Sequence, residues 1–278
     1  MPKAIKLIGF ALACLALTLL PGGLWSALLA VNLRTGIALP WAVPAASVLL
    51  WLGWRYAGGH GPPARTADAR RIYRRANPVA GTVWSAALIA NGFALLAFCG
   101  LWIVLFQLAK APGNPAIDFS HYSIVAVLLI VTTGALIGAV SEEVGMRGYL
   151  QLALERRFAA PVAIFLAALA LVPGHALTQG FVWSTLLFYI LVDVTYGVTA
   201  FLTRSIYPGI VAHWTGLLVF FLVIWPHDAS RRLVNSGGAD SWFWIHLLQA
   251  AIFGALAIWS FTRLAKLAHQ RLRQLRDL

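Results

Sequence analysis

Long apolar runs, separated by short charge clusters or Pro/Gly turns, organise the whole chain. Eight of them come close to or exceed the roughly 20 residues a helix needs to cross a hydrocarbon core. They cover about 7–31, 36–57, 82–109, 122–146, 159–177, 181–203, 207–225 and 242–262. The breaks are short, as in Gly58-Gly59-His60-Gly61-Pro62-Pro63, where successive Gly and Pro favour turns over helix. No internal repeat and no long linker interrupts the series. The pattern predicts an all-α integral membrane protein: one domain over residues 1–278, with about eight transmembrane helices in one bundle.

Composition sharpens this reading. Of 278 residues, 60% are hydrophobic and 11% are charged, against about 25% charged in an ordinary soluble domain. A soluble fold or a disordered tail is excluded, because neither can hide that much apolar surface from water. The net charge of +12 would point to nucleic acid in a soluble protein. Here the basic residues cluster between apolar runs, which fits a cytoplasmic membrane face against anionic lipid. With the N-terminus inside, only Arg34, Lys110, Arg231 and Arg232 of the 21 Lys and Arg fall outside. This bias predicts a plasma (inner) membrane protein with both termini cytoplasmic, the segment Arg65–Arg75 resting on lipid headgroups. Lys3 and Lys6 before the first apolar run also resemble a signal peptide. The run continues through Leu24 to Val31, which favours an uncleaved span. Cys14 and Cys99 lie inside apolar runs and read as packed thiols.

Ionisable groups at bilayer depth cost at least about 2.5–3.5 kcal/mol each on insertion scales, so each calls for a reason. The most informative stretch is Ser141-Glu142-Glu143-Val144-Gly145-Met146-Arg147-Gly148. Apolar residues resume at Tyr149, and the next charge run is Glu155-Arg156-Arg157, so the helix is expected to continue past the glutamates. Glu143 and Arg147 stand i,i+4 and can pair on one face. Glu142 lies about 100° away and is left free, an arrangement suited to base chemistry. A turn centred near Arg157–Ala160 puts Glu142 about 16 residues before it and His175 about 17 after it. At about 1.5 Å per residue both then sit about 25 Å up an antiparallel hairpin, facing each other. A helix that long must tilt or break, and Gly134, Gly138, Gly145 and Gly148 offer places for a break. His213 and Asp193 are further polar groups inside apolar runs. His246, among Trp242, Phe243 and Trp244, reads as an interfacial anchor.

At these residues the sequence resembles the CPBP family of intramembrane proteases, the type II CAAX prenyl endopeptidases and bacterial ABI-domain proteins. That family carries EExxxR, FxxxH and HxxxN or HxxxD on successive membrane helices. Glu142-Glu143-Val144-Gly145-Met146-Arg147 matches the first motif. Leu171-Val172-Pro173-Gly174-His175 keeps the histidine of the second, with Leu171 for phenylalanine. His213-Trp214-Thr215-Gly216-Leu217 keeps the histidine of the third, with Leu217 for the polar partner. The likeness covers about residues 122–225.

The resemblance implies a hydrolase of peptide bonds in membrane-associated, including prenylated, substrates. Glu142 is then the general base that activates water, and His175 is its partner. Glu143 is a second acid held by Arg147, and His213 is an oxyanion donor or metal ligand. Asp193 and Thr215 are supporting residues. Two mechanisms follow from the family: a zinc held by His175, His213 and Glu143, or a glutamate acting without metal. Leu217 cannot donate a hydrogen bond, so a catalytically inactive scaffold or immunity-type protein stays open. A proton-coupled transporter is disfavoured, because no paired broken-helix repeat is visible.

Overall fold

The computed structural model describes residues 3–109, 119–226 and 232–274; Lys110, Arg231 and Arg276, counted in the charge balance, lie outside them. The described residues form helices joined by turns and short irregular segments, without strand. The order is α1 (Lys3–Arg34), α2 (Ala42–Ala57), α3 (Ala67–Arg74), α4 (Gly81–Leu108), α5 (Ile124–Glu142), α6 (Gln151–Glu155), α7 (Ala160–Gln179), α8 (Trp183–Thr203), α9 (Tyr207–Val219), α10 (Val234–Gly237) and α11 (Ser241–Gln274). A π-helical stretch, Glu143–Leu150, joins α5 to α6, and a second, Phe220–Ile224, extends α9.

Among the described residues, seven stretches are long and apolar enough to cross a membrane: Ile8–Arg34, Gly81–Leu108, Ile124–Glu155, Ala160–Leu177, Trp183–Thr203, Tyr207–Ile224 and Ser241–Arg271. The chain is therefore a multi-pass membrane protein. The remaining apolar run forms α2, whose 16 residues fall short of that length. The reason is local. Asn32, buried near the end of α1, accepts from Ala42 N (2.9 Å) and donates to Leu39 O (3.1 Å). Residues 35–41 are thus held in a tight turn, and α2 starts only at Ala42.

One end of the bundle collects the charge. Arg74 covers the Trp54 ring of α2 at 4.5 Å. Arg156 donates to Tyr73 Oη (3.0 Å). Asn77 donates to Arg204 O (2.6 Å), and Ile206 N donates to Arg75 O (3.0 Å). Phe10 near the start of α1 packs against Tyr73, and Leu264 of α11 packs with Val83 and Ala87 of α4. This end therefore holds the start of α1, the ends of α2, α6 and α8, the starts of α4, α7 and α9, and the Arg263 end of α11. Asn32, Gln107 and Asp240 mark the far end, where Gln107 donates to Asp240 (3.2 Å).

The segment Arg65–Arg75 departs from the expectation that it rests on lipid. Arg65 and Arg71 are exposed, but Arg70 and Arg75 are buried. Arg70 donates to the carbonyls of Tyr56, His60 and Gly61, satisfying a loop rich in Gly and Pro. Arg75 donates to Glu155 Oε1 (3.0 Å) and Arg147 O (3.4 Å), tying α3 to the segment that carries the glutamates. Cys14 and Cys99 are free thiols, buried and half-buried.

Candidate active site

The helix carrying the glutamates neither stops nor breaks at its glycines. It runs from Ile124 to Glu155 and widens into π-helix over Glu143–Leu150, a distortion frequent at functional sites. Packing explains why it sits so close to its neighbours. A Cβ on Gly145 would meet Cys14 O at 2.9 Å and collide with Thr18 Oγ1, so α1 lies directly on this segment. On the other side, a Cβ on Gly209 would come within 2.5 Å of Glu143 Oε2, so α9 approaches Glu143 only because position 209 has no side chain.

Three polar side chains from three further elements, His175 of α7, Asp193 of α8 and His213 of α9, converge on Glu142, Glu143 and Arg147. Glu143 is fully buried and Arg147 is 2% exposed; Arg147 Nε lies 3.5 Å from Glu143 Oε1. The same guanidinium pairs with Asp193 Oδ1 from α8. His213 Nδ1 of α9 donates to Glu143 Oε1 (3.3 Å), and its Nε2 faces Glu142 Oε2 at 3.8 Å. His175 Nε2 of α7 lies 3.6 Å from Asp193 Oδ2. Each imidazole lies against a tyrosine: His175 on Tyr189 (3.9 Å, 5°) and His213 on Tyr196 (4.7 Å, 20°). Three carboxylates thus surround a single guanidinium, and the two rings are fixed by stacking and by acids.

Of these groups, Glu142, His175, Asp193 and His213 form the floor of a cavity of about 690 Å³, with Leu217 also on its wall. Glu142 is the acid that faces the space, 22% exposed, whereas Glu143 lies beneath it. Glu142 is therefore not isolated: His213 stands between both glutamates, and His175 is held chiefly by Asp193. Thr215 is not part of the site; it is exposed and donates to Val211 O (2.9 Å) within its own helix. Asp193 does not use Thr195, whose hydroxyl donates to Leu191 O.

The metal geometry also differs from the expected His175, His213 and Glu143. Among the described residues, the ligand atoms that approach one another within 4.8 Å belong to Glu142, His175 and Asp193. One imidazole and two carboxylates are donors suited to zinc.

Residues 124–219 match the family model for type II CAAX prenyl endopeptidase Rce1-like proteins. The match supports a relation of this core to the CAAX protease family. No curated protein and no solved structure matches the chain. Within the matched core, the two departures from the family pattern are of different kinds. Leu171 is 2% exposed and packs with Cys14, Met146, Leu150 and Ala167, so it is a core residue away from the cavity. Leu217 lies on the cavity wall one turn beyond His213, where a polar side chain would reach a bound substrate. Sequence reasoning missed Tyr189, Tyr196 and Arg75. Tyr196 stands i+3 from Asp193 and so shares its helix face; that spacing was the available signal. Nothing local marks Tyr189 or Arg75.

Proposed function

We propose that the chain is an intramembrane endopeptidase whose floor residues activate a water against a peptide carbonyl. The observation that carries this reading is the approach of Glu142, His175 and Asp193 within 4.8 Å on the wall of a cavity in the bundle. Glu142 takes a proton from a water that His175 positions, and Asp193 fixes the His175 ring. The hydroxide adds to the carbonyl carbon. His213, its Nδ1 directed to Glu143, turns Nε2 to the developing oxyanion as a hydrogen-bond donor. Collapse breaks the C–N bond, and Glu142 returns the proton to the leaving amine, so one water is consumed per bond. Glu143 and Arg147 hold His213 and Asp193 in register. A zinc, if bound, would be held by Glu142, His175 and Asp193 and would supply a Lewis acid and a more acidic water.

The basic end supports an inner-membrane placement with both termini cytoplasmic, because it gathers the start of α1, the Arg263 end of α11 and most arginines. The test is cleavage of a quenched fluorogenic apolar peptide by the full chain in proteoliposomes. Glu142→Gln and His175→Ala abolish turnover and leave the melting temperature within a few degrees. Unchanged turnover in both variants overturns the reading. Zinc content measured on the purified protein, and inhibition by 1,10-phenanthroline, separate the metal from the metal-free route. Leu217 on the wall favours a second reading, a non-catalytic member that binds a peptide or membrane protein. There the same substitutions leave the biological phenotype intact.

A further inference from the structure

Two hydroxyls on the cavity wall are spent within their own helices. Thr18 donates to Cys14 O (3.0 Å), and Ser141 donates to Ile137 O (2.7 Å). Glu142 and Asp193, as carboxylates, only accept. The upper wall is aromatic and aliphatic, with Phe98, Phe220 and Phe221 among its residues. Tyr196 differs from all of these. It lines the cavity and is 2% exposed, yet among the described residues its hydroxyl makes no hydrogen bond. A buried tyrosine hydroxyl ordinarily finds a partner. One left over on a cavity wall points to a partner that arrives with the ligand.

Packing holds that hydroxyl in place. The Tyr196 ring stacks on His213, with 4.7 Å between centroids and 20° between planes, and Arg147 Cζ lies 5.7 Å from its centroid. Gly216 lets α9 come up against the hydroxyl, because a Cβ there would stand 3.2 Å from Tyr196 Oη. Residue 216 lies about one turn beyond His213 on α9, so Oη reaches the level one turn from the imidazole. The next residue, Leu217, brings only hydrocarbon to the wall. The polar group missing at position 217 is thus offered from α8 instead.

We propose, resting on the endopeptidase reading above, that Tyr196 is a further catalytic residue, whose hydroxyl donates a hydrogen bond to the oxyanion formed when water adds to the peptide carbonyl. His213 Nε2 from α9 and Tyr196 Oη from α8 then serve the same oxygen. The phenol keeps its proton throughout. No bond to Tyr196 forms or breaks, and the oxyanion returns to a carbonyl as the C–N bond breaks. A donor fixed in advance by stacking needs no reorganisation while the charge develops. A neutral substrate carbonyl gains less from the same contact than the charged intermediate does, so the effect falls on kcat and not on KM.

Tyr196→Phe keeps the ring and its stacking on His213 and removes only the hydroxyl. No hydrogen bond within the protein is lost, so the melting temperature stays within a few degrees. In proteoliposomes, kcat for the fluorogenic peptide falls about 10²–10³-fold, the usual loss for one such donor, while KM changes little. A second measurement needs no turnover. The same peptide with a phosphinate in place of the scissile amide mimics the tetrahedral anion. Its affinity for the full chain, measured by calorimetry in detergent, falls at least about tenfold in Tyr196→Phe, as for a hydrogen bond to a charged group. The affinity of the amide peptide, measured with Glu142→Gln in both proteins to prevent cleavage, stays the same. Unchanged kcat, or equal losses of phosphinate and amide affinity, overturns the assignment and leaves Tyr196 as packing alone. A native protein that cleaves nothing, yet binds the phosphinate more tightly than Tyr196→Phe does, overturns the protease reading and leaves the anion donor in place. A native protein that neither cleaves the peptide nor binds the phosphinate overturns both.

Discussion

Arg147→Leu separates a structural role of the buried charges from a purely chemical one, and its cost can be worked from the site. The guanidinium is the cation shared by Glu143 and Asp193, and all three side chains are 3% exposed or less. Leucine fills much of the same space and removes the charge. Glu143 and Asp193 then lose their shared cation and keep only the imidazoles of His213 and His175 beside them, and at least one carboxylate takes a proton. Holding an ordinary carboxylic acid, pKa about 4, protonated at pH 7 costs about 4 kcal/mol, from 1.36 kcal/mol for each pH unit. This agrees with the roughly 3–5 kcal/mol typical of breaking a buried pair from one side. At about 2–4 °C per kcal/mol for chains of 150–250 residues, the melting temperature falls by roughly 8–16 °C. The sign with pH is the sharper test. The penalty is about 4 kcal/mol at pH 7, shrinks by about 1.4 kcal/mol per unit as pH falls, and vanishes near pH 4. Asp193→Asn added to Arg147→Leu removes one unpaired acid and recovers a large share of the loss at pH 7. Thermal unfolding of the detergent-purified protein between pH 5 and 8 measures all of this. An unchanged melting temperature, or a penalty independent of pH, would refute the assignment of Arg147 as counter-ion.

Three further outcomes are expected. Leu217→Asn places an amide donor on the cavity wall, and since one such donor is worth about 10²–10³ in kcat, turnover of the fluorogenic peptide rises at least tenfold. Gly209→Ala drives a methyl to 2.5 Å from Glu143 Oε2, displacing Glu143 from His213; kcat falls while KM, set by the upper wall, changes little. At the far end, Asp240 accepts from Phe243 N (2.9 Å) at the start of α11, and that bond, together with Gln107, holds its carboxyl below the usual range. Its contribution is present above the unfolded pKa of about 4 and is lost as pH falls through the lowered value. The advantage of the native protein over Asp240→Asn in melting temperature therefore persists at pH 7 and declines below about pH 4.

Much of the bundle was legible because lipid allows few solutions. Apolar runs of near-spanning length give helices, and the i,i+4 spacing of Glu143 and Arg147 does place them 3.5 Å apart. Counting residues from the turn after Glu155 brought Glu142 and His175 to a common depth, which the structure reproduces. Depth alone did not give the azimuth. Which histidine faces which acid depends on how α7, α8 and α9 rotate about their axes, so His213 rather than His175 lies between the glutamates. Asp193 was visible as a buried acid, but its partner Arg147 lies 46 residues away, and no local rule reaches that far. Arg70 and Arg75 looked like lipid-facing charge because composition cannot tell a headgroup phosphate from a row of backbone carbonyls. The short α2 was hidden because hydropathy does not register the turn that Asn32 holds.

The buried triad of Glu143, Arg147 and Asp193 also sets a constraint on biogenesis. When the span Ile124–Glu155 leaves the ribosome, the partner on α8 lies 46 residues behind Arg147, about 2–9 s of synthesis at 5–20 residues per second. During that interval Arg147 can neutralise one glutamate within its own helix, while His213, which faces Glu142 in the folded protein, is not yet made. Lateral release into lipid is then opposed by about 2.5–3.5 kcal/mol for that charge, a term that the apolar residues 124–140 must outweigh. A translocon or insertase that retains this helix until α8 and α9 arrive would spare it the exposure, so co-translational assembly of the four helices as a group is the favoured route to the membrane.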